Sequence, residues 1–445
     1  MTAPPALPQR PPFTLRARLL TPLAEGGILH LPDARLDVDD AGRLASVAPW
    51  DEAAAGADAA ASVLDLLPLV VMPGLVDLHV HLPQVPNAGL GSGMDLLAWL
   101  ERYIFPLEHG YTREVAEAQA PQVYRAIARS GTTTIAAYSA LWPESTDAAF
   151  AAAQEHGLRA VIGKVMMDRI TYDERIAPEA ILGTSLRQSA ELCERWHGTD
   201  DGRLRYAFTP RFAVSCSAEM LAESARLAAH YGAYWQTHLS EDAGEIHEVQ
   251  RLFPGARDYL DVYERAGALG ERTVLAHSIH LSDSEVERLA ASGAVVAHCP
   301  SSNLFLSSGM MRIGRYLDAG IRVGLGSDLA AGPELSIFSV MRAAAVTQRV
   351  LVLTGRAGPH PPLRPLDWLR IGTLEGARAL GMGDLIGSLE AGKEADMIVV
   401  DPSMTAPLPG EAELAGPEEL MSRLIFRPHP DMVRGAWVRG KLLPA

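Results

Sequence analysis

Short apolar segments alternate along the chain with longer stretches that carry apolar residues at helical spacing. Each apolar segment is bounded by turn residues, which is typical of buried strands. Eight such segments follow one another in the central part of the chain, at 75–81, 132–139, 160–167, 206–212, 234–240, 273–279, 294–299 and 322–328. The stretches between them predict helices at 113–129, 147–156, 178–196, 218–231 and 243–266. Eight βα units predict an α/β fold of the (β/α)₈ barrel type.

The two chain ends have a different pattern. Short segments that read as strands occur at 14–20, 27–31, 44–47 and 63–67, and three more follow the barrel. We therefore expect residues 1–70 and 384–445 to build one small β-sandwich domain, with the barrel spanning 71–383. The proline-rich start is expected to be a loose tail rather than a signal peptide. The alanine cluster at 53–61 has helix or linker composition.

Composition and charge exclude several classes of partner. Hydrophobic residues make up 48% of the chain and charged residues 21%, which is typical of a folded globular protein. The 39 basic and 54 acidic side chains give a net charge of −15, and no basic run is present, so a nucleic acid polymer is not an expected partner. The most apolar stretch, 62–76, is interrupted by Asp65, Pro68 and Pro73 and is too short for a membrane span.

Cysteine usage indicates a reducing compartment, and we expect the cytoplasm. The chain has three cysteines, Cys193, Cys216 and Cys299, without CxxC spacing. They cannot form a disulfide framework or a cysteine zinc site. Cys299 precedes a proline and lacks the PCxxC pattern of one zinc deaminase fold, so that fold is not expected here.

One glycine-rich segment nearly matches a phosphate-binding loop. It runs from Gly387 through Gly392 and Lys393 to Glu394. The motif requires Ser or Thr where Glu394 stands, and a helix where this sequence predicts a strand. A tight turn is therefore predicted.

Histidine and acidic residues stand where several predicted barrel strands end. The carboxyl ends of barrel strands converge on one face, so these side chains are expected to meet. They are His79 and His81 at the first strand, His238 and Glu241 at the fifth, His277 at the sixth and Asp328 at the eighth. Taken singly, each fits a structural role, such as an interior histidine or a helix-capping aspartate. Together the histidines and the aspartate predict a metal site, with zinc as the best match.

A bound divalent ion lowers the pKa of a coordinated water to about 7, so the predicted reaction class is hydrolysis. Three residues are candidates for the proton transfers that hydrolysis requires. Asp328 can accept the proton of the water and His277 can orient the water. Glu241 can pass protons to the substrate and the leaving group.

The pattern PGLVDxHxH at 73–81, the HxxE at 238–241, the strand-six histidine and the strand-eight aspartate together resemble the amidohydrolase superfamily. The resemblance runs from about Phe13 to the final strand, and it implies a small β domain formed from both chain ends. Binuclear members use a modified lysine or a carboxylate at strand four, where this chain has Pro210, Arg211 and Phe212. One zinc ion per chain is therefore expected, on His79, His81, His238 and Asp328. Lys164, on strand three, is not expected to bridge metals.

Finer motifs look like those of the guanine deaminases within that superfamily. They are HVHLPQ (79–84), DLLAWL (95–100), YIFPLE (103–108), GKVMMD (163–168), TPRF (209–212) and HCPSSNLFLSSG (298–309). The resemblance implies hydrolysis of guanine to xanthine and ammonia, with Gln84 and Arg211 on the polar edges of the purine and Phe212 against its ring. It also implies a homodimer, and a structural role for His298. Two alternatives stay open: hydrolysis of 8-oxoguanine or another amino- or chloro-azaheterocycle, and a catalytically silent scaffold.

Overall fold

The structure is a computed structural model that describes residues 6–52, 63–408, 414 and 416–445. The first five residues of the predicted tail and the alanine cluster at 53–61 lie outside the described residues. The strands form two separate sheets, one of nine strands and one of seven. The division of the chain at residues 70 and 383 stays a prediction.

The nine-stranded sheet is the predicted barrel. Its strands are β5 (Leu75–His81), β6 (Thr132–Tyr138), β7 (Arg159–Gly163), β8 (Val165–Met166), β9 (Leu204–Pro210), β10 (Tyr234–Leu239), β11 (Thr273–His277), β12 (Val295–His298) and β13 (Val323–Leu325). All pairings are parallel, and β8 continues the line of β7 beside β9. The backbone N–H of Asp328 donates to the carbonyl of His79 at 2.7 Å, and His81 N–H donates to Leu329 at 3.2 Å. These bonds join the last strand to the first, so the (β/α)₈ fold is confirmed.

Helices surround the barrel and cover its ends. Their bounds are Leu96–Trp99, Phe105–His109, Arg113–Arg129, Pro143–His156, Pro178–Trp196, Ala218–Tyr231, Ala243–Leu252, Tyr259–Arg265, Asp283–Ser292, Pro300–Phe305, Ile313–Asp318, Ile337–Leu353, Pro365–Arg370, Gly376–Ala379 and Pro417–Phe426. A 3₁₀ turn at Leu82–Asn87 and π turns at Leu100–Ile104 and Ile371–Glu375 complete this layer. The single helix predicted at 243–266 is wrong: Pro254 and Gly255 lie in the gap between two helices, because proline disfavours a continuing helix.

The seven-stranded sheet is built from both chain ends, as expected. Its strands are β1 (Phe13–Pro22), β2 (Ile28–Val38), β3 (Leu44–Pro49), β4 (Val63–Pro73), β14 (Met397–Val400), β15 (Val433–Val438) and β16 (Lys441–Leu442). The order β16-β15-β14-β4-β1-β2-β3 joins the two ends where β14 pairs antiparallel with β4. Helix Pro417–Phe426, between β14 and β15, was not predicted.

A buried ion network connects the barrel to this sheet. Arg159 on β7 is fully buried, and its Nε donates to Asp396 Oδ2 at 2.9 Å while its Nη2 pairs with Glu394. Arg439, just past β15, donates to Glu394 at 2.9 Å. Burying so many charges is tolerable only because each has a partner. The network therefore fixes how the small sheet sits against the amino end of β7.

Three smaller expectations have a structural outcome. Segment 387–393 is a turn, in which Lys393 Nζ donates to Gly383 O at 2.6 Å and to Ser388 Oγ at 2.7 Å. All three cysteines are buried and unpaired. Among the described residues, no helix is both long enough and apolar enough to cross a membrane.

Candidate active site

Five predicted site residues meet at the carboxyl end of the barrel, and all are at least nine-tenths buried: His79, His81, His238, His277 and Asp328. His277 and Asp328 have φ values of 67° and 48°, in the left-handed region that few residues other than glycine adopt. Such backbone strain is concentrated at functional sites. Here it lets the chain leave each strand abruptly while the side chain stays at the barrel mouth.

The separations between donor atoms fit a single tetrahedral ion. The Nε2 atom of His81 lies 3.3 Å from Nε2 of both His79 and His238. Asp328 Oδ1 lies 3.1 Å from His79 Nε2 and 3.4 Å from His81 Nε2. A tetrahedral zinc ion with bonds of about 2.0–2.1 Å holds its ligand atoms about 3.3–3.4 Å apart. His277 also offers a nitrogen within the group, since its ligand atom lies within 4.8 Å of those of His79, His238 and Asp328.

The protonation states suit metal ligands. Burial lowers the pKa of His79, and burial together with neighbouring imidazoles lowers the pKa of His81 and His238 well below its usual range. Burial alone would raise the pKa of Asp328, but His79 and the other histidines more than reverse this and lower it. Neutral imidazoles and an ionised carboxylate are the forms that bind a metal.

Hydrogen bonds on the far side of the rings orient two of these histidines. His238 Nδ1 lies 2.6 Å from the carbonyl oxygen of Arg211, so Nδ1 carries the proton and Nε2 keeps its lone pair. His277 Nδ1 lies 2.9 Å from Asn303 Oδ1, and its buried Nε2 has no hydrogen-bond partner among the residues that the structure describes. Both Nε2 lone pairs therefore face the centre of the cluster and are free to bind there.

Glu241 stands beside this cluster with one oxygen held and the other directed inward. Ser308 Oγ donates to Glu241 Oε1 at 3.1 Å, while Oε2 lies 3.3 Å from His277 Nε2. Burial, with the charges of Asp328 and Glu245 nearby, raises the pKa of Glu241 well above its usual range. Glu241 thus favours the protonated form while Asp328 favours the ionised form, a division typical of acid–base pairs in enzymes.

One further hydrogen bond holds Asp328 itself, and a group of three holds the neighbouring Ser327 and His79 through Asp77; none of these was predicted. Ser302 Oγ donates to Asp328 Oδ2 at 2.5 Å. Asp77, on β5, accepts from Ser327 Oγ at 2.5 Å and from the backbone N–H of Ser327 and His79. Ser302 belongs to the HCPSSN segment and Asp77 to PGLVDxHxH, so the motifs contained the only sequence signal for these roles.

A cavity opens onto the cluster. Gln84, Arg211 and Phe212 line it together with His81, His238, Glu241, His277 and Asp328, so all three predicted substrate-contact residues face the same space. Apolar walls come from Leu96, Trp99, Leu100 and Leu306. The cavity is therefore lined both by metal-ligand candidates and by the predicted substrate contacts.

Comparison with known proteins places the chain in a family. The model of the amidohydrolase family matches residues 70–443. The chain belongs to the amidohydrolase family. The curated guanine deaminase of Escherichia coli (strain K12) is 39% identical over 341 residues, which are 76% of this chain and 74% of that protein.

Solved structures agree with the membership. A guanine deaminase from C. acetobutylicum, with bound guanine in its active site, superposes with a TM-score of 0.88 at 28% identity, covering 97% of this chain and 99% of that one. An adenosine deaminase from Xanthomonas campestris with bound zinc gives a TM-score of 0.80 at 27% identity, covering 98% and 93%.

In this amidohydrolase, Lys164 neither lines the cavity nor belongs to the cluster of metal-ligand candidates. Its Nζ donates to Ser185 Oγ, on helix Pro178–Trp196, at 3.0 Å. Burial lowers the pKa of Lys164 to about 7. His298 is also buried, and burial lowers its pKa to about 3, so it is neutral at physiological pH. The Ser185 contact of Lys164 fits a structural role, and the structural role of His298 stays a prediction.

A second buried acid of this amidohydrolase, besides Asp77, was not predicted as a site residue. Glu108, on helix Phe105–His109, accepts hydrogen bonds from Gln84, Arg211 and Tyr172. The motif YIFPLE contains Glu108, but helical spacing does not reveal which side chain reaches the cavity. Its contacts can be found only once the loops are placed.

Proposed function

We propose that this amidohydrolase is a guanine deaminase, which hydrolyses guanine to xanthine and ammonia. One observation carries the proposal most directly: metal-ligand candidates, an acid–base pair and the Arg211 guanidinium line one small cavity. The proteins of known activity reported above, from Escherichia coli and C. acetobutylicum, are named guanine deaminases, which supports the same substrate.

We propose one zinc ion per chain, held by His79, His81, His238 and Asp328. Imidazole nitrogens and carboxylate oxygens are zinc ligands, and zinc in catalytic sites can expand to five-coordination, so these four ligands would leave room for a water molecule. When bound there, zinc would acidify a water molecule so that it can attack at neutral pH. Pro210, Arg211 and Phe212 after β9 offer no bridging group for a second ion.

The chain's own residues supply the proton transfers. Asp328, kept ionised by its histidine neighbours, accepts a proton from the attacking water. His277 Nε2, aimed inward by the bond from Nδ1 to Asn303, orients that water. Glu241, whose pKa is raised, holds a proton at Oε2 and delivers it to the ring nitrogen next to C2. The oxygen of water ends on C2 and the C2–N bond breaks. The leaving amine takes up the proton held by Asp328 and departs as ammonia, while the hydroxyl proton on C2 passes to Glu241. Xanthine forms, and both carboxyl groups return to their starting protonation states.

Recognition of the purine falls to Arg211, Gln84 and Phe212. The guanidinium carries a fixed fork of donors suited to a carbonyl and a ring nitrogen. Phe212 supplies an aromatic wall for the purine ring, and the apolar side chains opposite exclude water. The site therefore combines a charged group that binds the polar edge of the purine with apolar walls that enclose its ring.

Location and assembly complete the proposal. We propose a cytoplasmic enzyme, which the buried free thiols of the three cysteines support. We also propose a homodimer, by analogy with the superfamily. Light scattering on a purified sample gives the mass in solution, and a single-chain mass would contradict the dimer.

Ammonia release across a substrate panel tests the proposed function. The panel contains guanine, 8-oxoguanine, adenine and a chloro-triazine, each assayed at equal enzyme and metal content. Guanine should be turned over fastest, because a site built for a carbonyl edge leaves its donors unpaired with adenine. Faster turnover of 8-oxoguanine or the triazine would identify that compound, rather than guanine, as the substrate. No turnover of any compound would support the catalytically silent scaffold.

A further inference from the structure

Glu108 is a fully buried carboxylate that the proposed proton transfers do not use. Gln84 Nε2 donates to its Oε1 at 2.7 Å, and Arg211 Nη1 lies 2.9 Å from Oε1 and 2.7 Å from Oε2. The hydroxyl of Tyr172 donates to Oε2 at 2.9 Å. The two side chains offered for purine recognition therefore share one acidic partner, which comes from a separate helix.

The carboxylate determines which way the Gln84 amide faces. An ionised carboxylate accepts hydrogen bonds and cannot donate them, so the NH₂ group of Gln84 must point toward Glu108. The amide oxygen then points the other way, where it accepts the backbone N–H of Ala330 at 3.5 Å, next to the cavity residue Ala331. Its second lone pair is left to accept from a group in the cavity that Gln84 lines. A glutamine without such a partner could present either end of its amide.

The same carboxylate fixes the Arg211 guanidinium. Burial would lower the pKa of Arg211, but the charge of Glu108 more than offsets this, so the guanidinium stays charged inside the cavity wall. Only Nη1 donates to Glu108, and this leaves the other N–H groups of the fork for the cavity that Arg211 lines. Arg211 thus contributes donors while Gln84 contributes an acceptor.

We infer that Glu108 is a specificity-determining residue, which selects purines with an oxo group at C6 by fixing this donor-and-acceptor pattern. The inference rests on the proposed function. Guanine presents an acceptor at O6 beside a donor at N1–H, which complements the pattern. A purine with an amino group at C6, such as 2,6-diaminopurine, presents the reverse order. Glu108 positions its two partners and need not touch the substrate itself.

The test is Glu108→Gln, with initial ammonia release from guanine and from 2,6-diaminopurine. A glutamine both donates and accepts, so the Gln84 amide can turn either way, and the ratio of kcat/KM for guanine over diaminopurine should fall at least about tenfold, the scale of one unpaired buried group. A merely structural role would lower both rates in parallel, and an unchanged ratio would overturn the inference.

Glu285→Gln is the matched control. Glu285 is another buried carboxylate with several hydrogen bonds, but these join the capping box of helix Asp283–Ser292 and the backbone N–H of Leu260, and Glu285 does not line the cavity. Glu285→Gln should leave the ratio of kcat/KM for guanine over diaminopurine at the value of the parent chain. A ratio that falls equally in both variants would show a general loosening of the fold and would also overturn the inference.

A second measurement is the binding of hypoxanthine and adenine to the parent chain by calorimetry. It requires no substituted protein and no catalytic activity. Hypoxanthine has the O6 and N1–H pattern without the C2 amine, so it should bind at least about tenfold more tightly than adenine. Equal binding would refute the pattern assigned to Glu108. Absent guanine turnover with preserved hypoxanthine preference would instead refute the proposed function alone.

Discussion

Glu241→Gln separates proton transfer from metal binding. The substitution keeps the shape of the side chain: its amide oxygen can accept from Ser308, and its NH₂ group can face the Nε2 lone pair of His277, 3.3 Å from the present carboxylate oxygen. The variant should therefore fold and keep its metal. What it loses is the proton that Glu241 holds.

The expected loss follows from that single missing transfer. A positioned acid–base group contributes about 10²- to 10⁴-fold to the rate, so turnover of guanine should fall by at least about a hundredfold, or roughly 3 kcal/mol of activation free energy. The assay is steady-state xanthine formation, with bound metal measured by elemental analysis on the same sample.

Glu248→Gln is the control for this prediction. Glu248 lies on the following helix, Ala243–Leu252, and its carboxylate pairs with Arg251 at 2.6 Å. This variant should turn over guanine at the parent rate. Activity of Glu241→Gln within a few-fold of the parent, at full metal content, would refute the assignment of the proton to Glu241.

Three further substitutions test other parts of the account. His238→Ala should lose metal and turnover together, because it removes one of the four proposed zinc ligands and leaves the site incomplete. Elemental analysis and xanthine formation check this against exposed His247→Ala, which should retain both. Arg211→Met should lower kcat/KM for guanine at least about tenfold, because the substrate loses charge-assisted hydrogen-bond donors. The metal should stay bound, because the backbone carbonyl of residue 211 still orients His238. Unchanged kinetics would show that the polar edge of the substrate lies elsewhere. Arg159→Met should destabilise the fold by about 3–5 kcal/mol, because it leaves buried Asp396 without its ion pair, and a urea unfolding midpoint equal to that of the parent would contradict this.

The barrel and the ligand candidates could be predicted because the sequence encodes them locally. Strand-length apolar runs bounded by turns identify each strand, and a residue such as His79 or His277 at the end of a run must lie at the common face. The convergence then follows from topology alone. The structure places these side chains together as that reasoning requires.

Other features depend on contacts between segments distant in sequence. Glu108 reaches Arg211 only because a short helix after β5 folds over the barrel mouth. The spacing of hydrophobic residues in the sequence does not predict where that helix lies. Ser302 and Asp77 read as ordinary polar residues until their partners are placed beside them. Helix Pro417–Phe426 was not predicted, because the segments on both sides of it read as strands.

Titration of metal-free chain with zinc, followed by guanine turnover, tests the central claim most directly. The stripped chain should be inactive, and xanthine formation should rise linearly and stop at one equivalent of zinc per chain, with one ammonia released for each xanthine. Full activity without added metal, a rise that continues to two equivalents, or zinc binding without guanine turnover would contradict a mononuclear guanine deaminase.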